Sequence, residues 1–227
     1  MLTLFHLASL ILSMSKENRT LSDLQDNIDE DYTWRIKELD DFKGALTQAK
    51  PEVQKSLIRS GITLLYAHWE GFIKNVAGHY YNYVSLKKLY HRELKENYVA
   101  LCLRKALNEL LDSKKIVLQT KSVEFLLSEI DKRAQFPSDL PLKTSNLTYD
   151  VFEDYCLILG LDISHFELKK QFIDKKLVEN RNTIAHGKYL LVDMDTFIDI
   201  YDITLELLRT VKDNVENSAV LENYKRK

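Results

Sequence analysis

Between Lys175 and Tyr189 the chain reads KKLVENRNTIAHGKY, which brings an arginine, an asparagine and a histidine within six residues. The pattern just before it buries Phe172, Leu177 and Val178 on a helix. Arginine is permanently charged and can hold two phosphate oxygens in a planar fork. Histidine, with an unperturbed pKa near 6.5, exchanges a proton close to neutrality. Asn182 and His186 are i and i+4 and share a helix face. Arg181 and His186 are five apart, which splays them by about 140° around a straight helix. They converge if the helix stops near Gly187 and the long arginine reaches around, or if a second copy of the chain meets the first across a twofold axis. The plainer alternative is a charged helix end, because basic residues favour the negative terminus of a helix and Gly187 is a natural stop.

Other chemistry is sparse. There is no phosphate-cradling glycine loop, no GxSxG and no HExxH. His68 and His79 fall on nearly the same face of one helix but about 16 Å apart along it, too far to share a metal ion. His6, His91 and His165 are isolated and read as surface residues. Cys102 and Cys156 form no CxxC pattern and read as small buried side chains in a reducing compartment. Glu70 sits at the margin of an apolar helix stripe, where a carboxylate wants a cation. Arg181 is one candidate, and a neighbouring lysine or water is the other. His68 and Trp69 read as packing residues.

The elements that must position these groups are helices. Leu21, Leu24, Ile28, Tyr32, Ile36 and Leu39 recur every three or four residues and predict a helix over 21–47. Pro51 opens a second, whose apolar face runs from Ile58 through Trp69 to Tyr83 and belongs at the centre. Further helices are predicted over 89–112 and 121–132. After a proline-containing loop (133–147), Thr148 caps a helix that Gly160 ends. The motif helix follows over 165–186, and Asp193 caps the last one. No window alternates as a strand. The expected fold is all-α, a single-domain helical bundle of about six to seven helices. Its expected divisions are an apolar N-terminal extension (1–15), the helical domain (16–218) and a polar, mostly solvated tail (219–227).

Composition agrees with a globular, helix-rich chain: 227 residues, 45% apolar and 29% charged, with six glycines and three prolines. The net charge of −2 excludes a surface that is basic throughout, so nucleic-acid binding must be local. Lys169, Lys170, Lys175, Lys176 and Lys188 around the motif offer such a patch, or an ordinary solvated face. The opening MLTLFHLASLILSM is apolar, but it is short for a bilayer span and no basic residue precedes it. A packed helix or an upstream extension is the preferred reading. No membrane association and a cytoplasmic location are expected.

ENRNTIAHG resembles the signature of the HEPN superfamily: arginine, a polar residue, a short spacer and histidine in an all-α domain. The stretches DEDYTWRIKELDDF, LIRSGITLLYAHWEGFIKNVAGHYYNYV, LTYDVFEDYCLILGLD and KKQFIDKKLVENRNTIAHG are similar to segments of the MAE-type HEPN families of prokaryotic defence and toxin systems, over roughly residues 20 to 215. The resemblance implies a metal-independent endoribonuclease without cofactors, working as a homodimer with a composite active site. It assigns proton transfer to His186, phosphate binding to Arg181, and orientation of the imidazole or phosphate to Asn182, with Glu70 in support. It further implies an RNA substrate and a cognate antitoxin or defence-system partner. Some HEPN toxins carry a tyrosine two places after the histidine, a target for nucleotidyl transfer. Here Tyr189 stands three places after, so that regulation is not carried over and Tyr189 reads as structural. The alternative is a catalytically silent HEPN module that binds RNA, a nucleotide or a protein.

Overall fold

Helix α1 (Leu21–Gln48) starts on a reciprocal cap. The Thr20 hydroxyl accepts from the Asp23 N–H, and the Asp23 carboxylate accepts from the Thr20 N–H at 2.9 Å. Two orphaned helix-end donors are thereby satisfied. The structure, a computed structural model, describes residues 17–112, 116–141 and 146–227. The expectation for the apolar opening segment lies outside them.

Helix α2 (Pro51–Leu86) begins with proline at its first position and buries residues along nearly its whole length. Ile62, Leu65, Trp69, Phe72, Val76, Tyr80 and Val84 form the centre of the core. On one side α2 packs against α1 and against α8 (Met194–Val220), whose start is capped by the Asp193 side chain accepting from the Thr196 N–H. The approach is close at Gly61. A methyl there would stand 2.6 Å from ring atoms of both Phe42 and Phe197, so any side chain would have to push both rings aside.

On its other side α2 carries α6 (Tyr149–Leu159) and the motif helix. Thr148 caps α6 by accepting from the Val151 N–H. Gly160, at φ +65°, ends it in the left-handed conformation that favours glycine. Trp69 reaches across to Phe152 with ring centroids 5.2 Å apart, locking α6 to the core.

The helix expected over 89–112 is instead three pieces: a 3-10 turn at His91–Glu93, α3 (Glu96–Cys102) and α4 (Arg104–Asp112). Helix α5 (Ile116–Glu129) lies against α4. His91 is buried, not a surface residue: its Nδ1 donates to the Glu129 carbonyl at 2.8 Å. The polar tail also departs from expectation. It folds back, burying Tyr224 against Tyr83, while the Lys95 N–H donates to the Tyr224 carbonyl at 3.0 Å. The edge-on ring contact and backbone bonds, including one from the Arg226 N–H to the Glu93 carbonyl at 2.9 Å, dock an otherwise hydrophilic segment. Among the described residues there is no strand, and no helix is long and apolar enough to cross a membrane. Cys156 is buried and Cys102 half-buried. Burial pushes both thiols up to about 12, which leaves them unreactive near neutrality.

His68 and His79 are held below the ordinary histidine range, chiefly by burial. Both therefore stay neutral in the fold at a pH where the unfolded chain has begun to take up protons. Stability from these groups is complete above about pH 6.5 and falls as pH drops below it. Urea unfolding at pH 7.5 and 5.5 should show that loss, and the double variant His68→Asn/His79→Asn should show a flatter dependence. The lowered carboxylates Glu96, Asp162, Asp193 and Glu222 act in the same direction but only nearer pH 4, outside that window.

Candidate active site

The segment expected to be one helix over 165–186 runs through three windings. A 3-10 stretch (Ser164–Lys169) leads into a π-helical stretch (Phe172–Glu179) and then into the short α7 (Asn180–Ala185). The wider π turn brings i and i+5 towards one side, so Ile173, Leu177 and Val178 are all buried. Asp174 within it accepts the Tyr149 N–H at 2.8 Å, tying the segment to the start of α6. Helix α7 then closes with paired bonds from Gly187 N–H to the Ile184 carbonyl and from Lys188 N–H to the Thr183 carbonyl, both 3.0 Å. Gly187 has φ +71°. This is the glycine stop expected from the sequence, and it leaves His186 as the capping residue, exposed at the helix end.

Gly187→Ala isolates that conformational requirement, because a methyl there meets no atom within 4 Å. The variant should lose about 1 kcal/mol in urea unfolding from the left-handed backbone alone. It should also lower any turnover that depends on where His186 is held.

Arg181 is half-buried, and three groups orient it. Its Nη1 donates to Asn146 Oδ1 at 3.0 Å and to Asn182 Oδ1 at 2.9 Å. Its guanidinium carbon lies 4.9 Å from the centre of the Tyr66 ring. Asn146 Nδ2 donates to Asn182 Oδ1 at 3.2 Å and closes the arrangement. Asn182 thus holds the arginine, not the histidine. Among the described residues only Nη1 is engaged, and no carboxylate pairs with Arg181. Its full charge is retained on an oriented fork.

Tyr66 is buried beneath the arginine, and its hydroxyl accepts the Leu147 N–H at 2.9 Å. Burial pushes this hydroxyl up to about 12, with Glu70 adding to the rise and the Leu147 N–H and Arg181 opposing it. It remains protonated near neutrality and serves as a platform, not a base. Glu70 does not pair with Arg181. It accepts from Lys74 Nζ at 2.7 Å, the lysine alternative, and it reaches the site only through Tyr66.

Asn146 and Tyr66 are the residues that sequence reasoning missed. Tyr66 was legible as a core aromatic one turn before Glu70. Asn146 is an amide in a loop 35 residues from Arg181, and nothing local marks it.

The surrounding lysines carry less net positive charge as a group than their spacing suggests. Lys169 pairs with Glu206, Lys170 with Asp150 and Lys175 with Glu179. Lys176 and Lys188 are exposed. Tyr189 is not buried structure either. It is 74% exposed, with the Arg59 guanidinium over its ring at 5.7 Å.

The HWEGF stretch of α2 serves two faces. Tyr66, just before it, looks towards α7, while His68 and Gly71 look towards α1, where Arg35 fills the space a Gly71 side chain would need. A methyl at Gly71 would stand 2.8 Å from Arg35 Nη1. His68 Nε2 lies 2.7 Å from the Glu38 carboxylate, close in distance but outside hydrogen-bonding alignment.

An all-α bundle with Arg-x4-His at the closing turn of a core-packed helix is a HEPN-type domain. The family model RiboL-PSP-HEPN matches residues 30–217, and the chain belongs to this family within the HEPN superfamily, whose domains are generally of ribonuclease type. No curated protein matches the chain, and no solved structure matches it.

Proposed function

We propose that the protein is a metal-independent endoribonuclease that cleaves RNA with the 2′-hydroxyl as nucleophile. The observation that carries this reading is Arg181: a half-buried guanidinium, aimed by two amides and an aromatic ring, with no carboxylate to neutralise it among the described residues. Such a group is prepared for an anion. RNA brings its own nucleophile, so the protein must supply proton transfer and charge stabilisation only. The 2′-oxygen attacks phosphorus and gives its proton to a histidine. The bond to the 5′-oxygen breaks, and a second proton donor completes the 5′-hydroxyl end, leaving a 2′,3′-cyclic phosphate. Arg181 holds the phosphate oxygens as charge develops on them.

His186 faces solvent at the helix end, while Arg181 turns inward onto Tyr66. This divergence favours a homodimer in which each chain completes the other's site, the Arg181 of one chain facing the His186 of the other. A toxin-like or phage-defence role, with a cognate partner, follows the likeness to defence families.

The test is cleavage of a labelled RNA panel, tRNA included, with EDTA present, for wild type, Arg181→Ala and His186→Ala. Cutting that leaves cyclic phosphate ends and disappears in both variants is the expected result. An inert wild type, or variants that cut equally well, returns the motif to a charged helix end and favours a silent binding module.

A further inference from the structure

A cleft of about 820 Å³ opens between α2 and residues 133–140, in the range of pockets that hold small ligands. It shares a helix ridge with the candidate site. Tyr66, Glu70, Lys74, Gly78 and Asn82 follow one another at i, i+4 along α2. Tyr66 carries Arg181, and Lys74, Gly78 and Asn82 line the cleft. Lys74 lies about 12 Å along the axis from Tyr66, so the cleft begins close to where a phosphate on Arg181 would sit.

Its lining combines cations with aromatic rings, and Asp139 is the one carboxylate among the described lining residues. Lys88 and Arg133 line it, and among the described residues neither pairs with a carboxylate, unlike three of the lysines beside α7. Arg133 is positioned. Arg133 Nη1 donates to the Lys88 carbonyl at 2.5 Å, and its guanidinium lies 5.0 Å from the centre of the Tyr90 ring. Lys88 has φ +50°, the left-handed turn that closes the end of α2. On its floor the buried Tyr81 meets the half-buried Phe136 edge to face at 5.5 Å, leaving Phe136 the more exposed ring. Cations that track a backbone over an aromatic floor suit a single strand, whereas a duplex hides its base faces.

We propose that this cleft holds the single-stranded RNA running on from the scissile phosphate, its phosphates at Lys88 and Arg133 and a base against the aromatic floor. The proposal rests on the ribonuclease reading of Arg181 and His186. Gly78 offers a clean test, because a methyl there meets no atom within 4 Å and a side chain can enter the cleft without disturbing packing.

Binding of a short labelled single-stranded RNA is measured by fluorescence anisotropy on full-length His186→Ala protein. Gly78→Glu and Lys88→Glu/Arg133→Glu are added to that background, with Gly78→Lys as the opposite-charge control. Both acidic variants should weaken binding about tenfold or more and flatten the dependence of log affinity on log salt by about 0.7 per lost phosphate contact. Gly78→Lys should bind at least as well as its parent. With His186 intact, the acidic variants should raise KM much more than they lower kcat.

Unchanged affinity in the acidic variants overturns the cleft, and so does equal affinity for a duplex of the same length. Cutting that still depends on Arg181 would then leave the ribonuclease reading intact. Weakened binding together with wild-type cutting by Arg181→Ala upholds the cleft as an RNA site and overturns the catalytic reading instead.

Discussion

Arg181→Lys is expected to lower kcat for RNA cleavage by about 10²- to 10³-fold, the range seen when one aligned donor to a developing oxyanion is lost. Charge is conserved in this variant, so the loss reports geometry. A lysine ammonium cannot grip two oxygens in a plane, nor lie over Tyr66 while bonding both Asn146 and Asn182. His186→Ala should cost about 10²- to 10⁴-fold, the usual contribution of a positioned proton donor or acceptor. Mixing the two inactive proteins, Arg181→Ala and His186→Ala, separates the two ways of building the site. A composite site recovers activity, because a mixed dimer holds one intact Arg181 facing one intact His186. A site contained within one chain recovers none. Wild-type rates in Arg181→Lys would mean that the oriented guanidinium has no part in turnover.

The second large effect concerns stability. Asp31→Ala should destabilise the protein by about 3–5 kcal/mol, the cost of leaving a buried charge without its partner. Arg35 and Asp31 are 7% and 11% exposed, and they form a two-pronged pair with Arg35 Nε at 3.0 Å and Nη2 at 3.1 Å from the carboxylate. The same carboxylate accepts from Trp34 Nε1 at 3.0 Å and from Asn75 Nδ2 at 3.2 Å, so four donors lose their acceptor together. Arg35 cannot move out to water, since it is packed between Trp34, Gly71 and His68. The double variant Asp31→Leu/Arg35→Met removes both charges and should recover much of the loss. Urea unfolding measures both. A loss below about 1 kcal/mol in Asp31→Ala would place the pair among ordinary surface ion pairs.

The two arginines show why one reads as framework and the other as a site. Each is at least half-buried and each lies against an aromatic ring. Arg35 has its charge cancelled by Asp31, whereas Arg181 is held by neutral amides. Cancellation spends a charge on stability, and amide ligation keeps it available to a substrate.

Much of this protein is determined by the sequence alone, wherever the physics is local. Thr148 and Asp193 cap their helices, Pro51 opens α2, and Gly160 and Gly187 stop theirs at positive φ, as the residue types require. The apolar spacing of α1, α2 and α8 sets which faces are buried, and so the all-α class. RNxxxAHG marks the place of the candidate site, and its five-residue spacing already separates Arg181 from His186. Only the tertiary structure decided what each side chain meets. It gave Glu70 to Lys74, set Asn146 on Arg181, buried His91 and Tyr224, and wound the motif segment as a π-helix. Caps and periodicity act within a few residues along the chain. A guanidinium's partner, by contrast, is whichever group the packing of distant segments brings within about 3 Å, and one sequence window carries no record of that.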